Sequence, residues 1–380
     1  MKKTIRILLI TFILLSVLGF CVSSENALED MYNEQLEASG AEQLWSSLPY
    51  STRDFLDRIG INSFNADSFT GLRPETVADN LFTLLNKKAS SPLRSACVLL
   101  GVILMFAMME GMRQTVKEES VSKIFGIICS ITACTALIVP ISGCIRDVSK
   151  AADSISVLMF SFVPVYAGVM LVSGQAVSAA SYQSVMLFAA ELISLAATNF
   201  IVPLMTVSLA LGLTGSMTPG LKIDAASGLI NKSCGWLLGL ATTVFVGLLT
   251  MQGMVGSAAD TMTGRAIKFS LGAFVPVVGS TLGEAFNSIK GCLSLLKSTL
   301  GAFGILSTVL IVLPPIIECI LWLISLSFCA MTAEVFSLNS LASLFKSAQG
   351  ILKLLIGVLA ACSMFMIVAI TIVTLAGGKA

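Results

Sequence analysis

From residue 93 to residue 376 the chain is a succession of apolar runs. Each is close to the 20 or so residues that an α-helix needs to cross a bilayer's hydrocarbon core. The runs lie at 93–112, 123–145, 154–173, 185–213, 235–256, 267–283, 292–313, 316–336 and 351–376. The run 185–213 is long for one span and carries Pro203, which predicts a kinked, tilted or broken helix. The run 267–283 is short and holds Gly272, Pro276, Gly279 and Gly283, the pattern of a re-entrant or broken helix. Pro314-Pro315 separates the two runs that follow. The chain is 56% hydrophobic and 12% charged. A soluble chain that apolar could not cover its own surface, so lipid supplies part of its environment. The fold expected is all-α, a polytopic transmembrane helical bundle.

The runs are preceded by different material. Lys2, Lys3 and Arg6 lead into the apolar core Ile7–Phe20, followed by Val22-Ser23-Ser24. That is the layout of a secretory signal peptide over 1–24, with an uncleaved signal anchor as the alternative. Either would place residues 25–92 outside the cytoplasm. That stretch holds half of the chain's 22 acidic residues. Leu28, Met31, Leu36, Leu44, Trp45 and Leu48 recur at roughly helical spacing, and Pro74-Glu75 opens a further helix. A small helical extracytoplasmic region is expected there. The first span and its cytoplasmic loop then occupy 93–119. Arg113, Lys117 and Lys123 after the first run agree with an inward-running span.

A longer period underlies the runs. Phe162-Val163-Pro164-Val165 returns as Phe274-Val275-Pro276-Val277, a period of about 110 residues, too long for a solenoid of small units. Ala151-Ala152-Asp153 precedes the first copy and Ala258-Ala259-Asp260 the second. Lys123, Lys232 and Lys346 keep the same beat, each beside a serine. Duplicated helix bundles are a common construction of transporters. The reading is one repeat unit at 120–231, a second at 232–345 and a C-terminal span within 346–380. An odd number of spans per unit inverts the copies and an even number leaves them parallel. The proline of each F-V-P-V is the expected break-point of its unit, Pro164 in the first and Pro276 in the second.

Histidine is absent, which removes His-based acid–base chemistry, His-activated nucleophiles and His metal sites. The ten cysteines include no C-x-x-C, and nine lie in or beside apolar runs, as small packing residues do. Net charge near zero gives no electrostatic footprint for nucleic acid. The glycine-rich stretches lack P-loop or dinucleotide spacing and suit close helix packing. No cofactor or metal is implied. The functional candidates are therefore charges within apolar sequence, which are costly and mark pathways or packing. Glu191 stands alone in the run 185–213. Asp260, Arg265 and Lys268 cluster before the second F-V-P-V, and Glu284 follows Gly279 after it. For the cluster, a membrane-surface loop with snorkelling bases competes with a polar path between the two units. For Glu191, a helix–helix hydrogen bond competes with a transport role.

The segments Ser120-Val121-Ser122-Lys123, Met251-Gln252-Gly253, Ala258-Ala259-Asp260, Arg265-Ala266-Ile267-Lys268-Phe269 and Phe274-Val275-Pro276-Val277-Val278-Gly279 resemble the stage III sporulation protein AE family. The resemblance covers essentially the whole chain and is most specific over 251–300. It implies a multi-pass subunit of the mother-cell membrane facing the forespore. Such a subunit would act as the permease-like or export-gate-like core of the secretion-like channel between the two cells. It implies partners too, other channel subunits including an ATPase and forespore-side proteins; beside them stand the lipid bilayer, which composition requires, and a homo-oligomer as an open alternative. It implies no enzymatic activity and carries over no catalytic residue. The alternative is a secondary transporter of a small solute or ion, with Glu191 and Asp260 as coupling carboxylates. An intramembrane enzyme would need paired aspartates or a Ser-Lys dyad, and no second intramembrane aspartate is evident.

Overall fold

A computed structural model of the protein describes residues 36–37, 39–61, 74–113, 119–217, 223–274 and 279–377. The expected signal peptide, Leu28, Met31 and Pro276 lie outside the described residues. All described regular structure is helical. Two short helices, α1 (Glu42–Ser47) and α2 (Tyr50–Arg58), come first. Then come α3 (Pro74–Arg113), α4 (Glu119–Val172), α5 (Ala176–Leu195), a π-helix (Ala196–Ile201), α6 (Val202–Met217), α7 (Ile223–Phe274), α8 (Gly279–Val335) and α9 (Asn339–Gly377). The α5, π and α6 segments are contiguous, so the chain forms six rods. Six helices are long and apolar enough to cross a membrane, with windows at Lys88–Met109, Ser130–Val172, Ala176–Leu195, Ser227–Met262, Gly291–Val335 and Asn339–Ile372.

The rods alternate in direction. Tyr166 of α4 packs on Tyr182 of α5 across the turn at 173–175. Ser208 of α6 bonds Ser227 and Asn231 of α7. Gln349 of α9 bonds Leu326 of α8, while Gly304 of α8 meets Ile370 of α9. Phe162 of α4 also meets Gly304. Lys88 and Ala96 of α3 meet Glu318 and Cys329 of α8, so those two run parallel. Asn231, Gly235, Leu238, Phe245 and Gly253 of α7 meet Gly350, Leu354, Gly357, Phe365 and Ile372 of α9 in the same order. That is a parallel pair, with contacts recurring near every seventh residue as in a coiled-coil seam. Helices α4, α7 and α9 thus point one way, and α3, the α5–α6 rod and α8 the other.

Several boundaries differ from the sequence expectation. The runs 123–145 and 154–173 form one helix, α4, because the charges between them fit a helix. Arg146, Lys150 and Asp153 are exposed at i, i+4, i+7 spacing, while Val148, Ala151 and Ala152 are buried. The runs 292–313 and 316–336 likewise join in α8, which continues through Pro314 and Pro315. Neighbouring rods and the polar groups around a proline make such continuity tolerable in membrane helices. The short run 267–283 is not a span: α7 ends at Phe274 and α8 starts at Gly279 within it. Residues 74–92 and the first apolar run form one helix, α3, through the buried Pro92. Nor is Pro164 a break-point, since α4 runs through it. Its ring is on the exposed face with Phe160, whose carbonyl loses its donor, while Phe162, Val163 and Tyr166 fill the core. The run 185–213 is interrupted as Pro203 predicts: the π-helix immediately precedes it and widens the turn that the ring would strain.

The two F-V-P-V copies do not stand at one height. Phe162 is level with Ile370, and Ile372 is level with Gly253 of α7. Phe274 therefore lies beyond the level of Phe162 by about 20 residues, roughly 30 Å along the axis. The short N-terminal helices are part of the same body. Trp45 stacks on Phe303 of α8 at 5.9 Å, and Leu44, Leu56 and Ile61 are buried.

Candidate functional site

Small residues let the rods approach closely. A Cβ at Gly304 would lie 2.7 Å from Ile370 and 2.9 Å from Phe162, so this glycine is the place where α4, α8 and α9 converge. One at Gly256 would lie 3.0 Å from the Cα of Ser178. The second approach brings α7 onto the start of α5 and builds the most polar site in the described bundle.

Helix α4 ends in a Schellman turn. Gly174, at φ +79°, is the left-handed residue; its N–H donates to Leu171 and that of Gln175 to Met170. The turn leaves the first amides of α5 facing α7. The N-cap, Gln175, makes no side-chain cap bond. Asp260 of α7 supplies it instead: Val177 and Ser178 donate their backbone N–H groups to its two carboxylate oxygens, each at 3.0 Å. Those are the amides that a local N-cap would satisfy, and the negative charge sits at the positive end of the α5 dipole. Gln175 accepts a 2.7 Å bond from the ammonium of Lys297 on α8. Asp260 and Lys297 are both buried, at 8% and 5% exposure. The α4–α5 turn, α7 and α8 are thereby tied by three polar bonds. The same end of the bundle holds Tyr166, bonded to Thr374 at 3.2 Å. Tyr182 Oη, Gln252 Oε1 and Ser307 Oγ are buried there without a hydrogen-bond partner among the described residues.

A second polar contact ties the other end. Ser227 of α7 lies 3.0 Å from Ser208 of α6 and 3.1 Å from Ser347 of α9, and Ser208 donates to Asn231. Gly212 leaves the room for Ser347. Lys346 and Glu334 pair on the exposed surface nearby. Between the two ends, Lys88 of α3 pairs with Glu318 of α8.

The structure separates the residues singled out from sequence. Asp260 is a buried helix cap. Glu191 is on the exposed face of α5, beside Phe188, Leu192 and Leu195. Arg265 and Lys268 belong to α7, and Gly279 and Glu284 to α8, but their side chains lie outside the described set. Pro164 is exposed within α4. Asp153, the counterpart of Asp260 in the first Ala-Ala-Asp triplet, is exposed, so the two triplets do different work. Sequence reasoning missed Lys297, Gln175 and Gly256. Lys297 was visible as a lone base in the run 292–313, whereas the turn that makes Gln175 useful needs the third dimension. Among the described residues no cluster of metal-ligating side chains occurs.

Comparison with known proteins bears on identity. A model of the family described as stage III sporulation protein AE matches residues 65–377. A stage III sporulation protein AE from Bacillus subtilis (strain 168) is 32% identical over 81 residues, which is 21% of this chain and 20% of that protein. The match thus spans about a fifth of the relative's length. No solved structure matches the chain. With most of its length, and all six rods, inside the family match, the chain belongs to the stage III sporulation protein AE family.

Proposed function

We propose that this multi-pass protein is the permease-like, export-gate-like core of a sporulation channel that joins mother cell and forespore. In this reading it works with other stage III subunits, an ATPase among them, from the mother-cell membrane. The observation that carries the reading is the length of the rods within a family-wide match. Helix α8 has 57 residues, roughly 85 Å at about 1.5 Å per residue, against a hydrocarbon core of about 30 Å. Rods that long reach well beyond one bilayer, as a subunit spanning toward a second cell requires. The polar ties at both ends hold the rods as one body, which suits a gate that moves against partner subunits.

The transporter alternative has less support. Asp260 already accepts two amide bonds and is committed to capping α5. Glu191 faces outward from the chain. The test of the channel reading is genetic. Deleting the gene in a spore-forming host should arrest the forespore after engulfment, and the gene returned in trans should restore it. Normal spores from the deletion strain would overturn the reading.

A further inference from the structure

Helices α7 and α9 run parallel, and their contacts fix the height and the direction of every residue beside the seam. Asn231 meets Gly350, Gly235 meets Leu354 and Leu238 meets Gly357. Lys232 is therefore level with Ile351, and Lys353 stands about 3 Å higher. Lys232 follows the seam residue Asn231, which turns it about a quarter turn away from α9. Lys353 precedes the seam residue Leu354, which turns it about a quarter turn away from α7. The two helices wind in the same sense but face each other. A step forward from the seam on one and a step back on the other therefore lead to the same side. Both lysines are exposed there, on axes about 8–10 Å apart, and they flank one cleft.

Neither lysine bonds or pairs with another described residue. Glu334 is taken by Lys346, two turns lower on the same stripe of α9, and Glu318 by Lys88. Glu191 is out of reach: Ser178 meets Gly256, which puts Glu191 roughly 17 Å above Lys232. Two like charges thus stand side by side with no described carboxylate between them. Trp236, one turn above Lys232 on the same side, is 69% exposed. Gly239 follows it in the cleft, where an added Cβ would meet nothing within 4 Å. The cleft beside the lysines is open, with an indole at its rim.

Other rods carry charge at this height. Tyr166 meets Thr374, and Phe162 is level with Ile370, so Arg146 of α4 is level with Leu354. Lys150 stands one turn higher on α4. Lys88 pairs with Glu318 beside the place where Cys144 meets Cys319. These charges and the two lysines form a band roughly 10 Å tall. Exposed apolar residues continue on both sides of it, Leu248, Met251 and Met254 on one and Phe328, Met331 and Val335 on the other. A bilayer centred on the band would hold the charges at the costliest depth. A bilayer whose surface lies at the band lets lysines reach the headgroups and puts Trp236 in the zone that indoles favour.

We propose that Lys232 and Lys353 bind the phosphate of an anionic phospholipid in the α7–α9 cleft, with Trp236 beside the headgroup. Two long side chains on neighbouring helices can bring their ammonium groups onto one diester phosphate. A zwitterionic headgroup adds a cation of its own beside the lysines, so an anionic one is preferred. The lipid supplies the counter-charge that the chain does not place there. Its phosphate also bridges α7 to α9. The inference rests on the membrane character of the chain and not on the channel reading.

The experiment uses the full-length protein in bilayer discs of phosphatidylcholine with a minor share of phosphatidylglycerol. Quenching of tryptophan fluorescence is read with bromine on the chains of one lipid at a time. The difference between wild type and Trp236→Phe isolates the emission of the cleft. Brominated phosphatidylglycerol should quench that emission as if enriched about fivefold or more over phosphatidylcholine. Lys232→Gln/Lys353→Gln should bring the preference down to about one. Lys346→Gln, at a lysine already paired with Glu334, should leave it unchanged. Inorganic phosphate should not displace the lipid. Circular dichroism checks that the variants keep wild-type helicity. Should the double variant unfold, wild type in rising salt replaces it, and the preference should fall toward one between about 0.05 and 0.5 M potassium chloride. Equal quenching by the two lipids, or a preference that outlasts both lysines or high salt, would overturn the proposal. So would displacement by inorganic phosphate, which would make the cleft a site for the free ion. The channel reading would survive each of these results, because it rests on the deletion phenotype.

Discussion

Asp260→Ala removes the acceptor for two amides at the start of α5, and the size of the loss follows from the geometry. Both bonds are 3.0 Å long, charge-assisted and part-buried, with the Asp260 acceptor itself buried. At about 1.5 kcal/mol each, they amount to about 3 kcal/mol. The dipole contribution of the charge is already inside that figure. Lys297 loses a nearby opposite charge as well, but its ammonium keeps the Gln175 bond, so the full penalty for orphaning a buried charge is not reached. Asp260→Asn keeps one good acceptor oxygen and should cost about half as much, ~1.5 kcal/mol. Asp153→Ala, in the other Ala-Ala-Asp triplet and exposed, should stay within about 0.5 kcal/mol of wild type. Lys297→Met removes the buried cation, so the double variant Asp260→Ala/Lys297→Met should fall short of the summed losses by about 1 kcal/mol. The assay is reversible unfolding of the purified protein in mixed micelles of mild detergent and dodecyl sulfate, followed by far-ultraviolet circular dichroism. If Asp260→Ala costs no more than Asp153→Ala, the capping account is wrong. If Asp260→Asn abolishes function at full stability, the carboxylate serves as a coupling group and not as a latch.

Two further substitutions test the packing. Gly304→Ala places a methyl against Ile370 and Phe162 and should destabilise by about 1–3 kcal/mol in the same assay, because three rods must part. Ser337, which holds the left-handed position between α8 and α9 at φ 58°, should tolerate Ser337→Gly with a gain of about 1 kcal/mol, visible as a higher melting temperature.

The helical membrane character was legible because apolar runs near 20 residues have few other solutions. Rod length was not. Charges at 146–153 look like a loop when counted, yet spaced by helical turns they are one face of a continuous helix. Prolines misled in the same direction. Pro164, Pro314 and Pro315 punctuate soluble helices, but inside a bundle their lost bonds are outweighed by the packing of the rods around them. Pro203 did mark an interruption, since the π-helix sits just before it. Among candidate residues, charge within apolar sequence drew notice to Asp260, which the structure makes a buried helix cap. Charge alone could not distinguish a carboxylate that caps a distant helix from one facing a pathway, because the Val177 and Ser178 amides are more than 80 positions away in the chain.

The parallel pairing of α7 with α9 has a consequence for biosynthesis. Helix α9 is the last rod to leave the ribosome, yet it touches α4, α6, α7 and α8, and Phe345, Leu352, Leu355, Leu359 and Met366 are wholly enclosed. The earlier rods can insert as each emerges, but the centre about which they close does not exist until α9 has followed them. Until then Gly235, Gly253 and Gly304 face open grooves. A chain interrupted before α9 would present those grooves to quality-control proteases, so emergence of α9 and closure of the bundle become a single checkpoint.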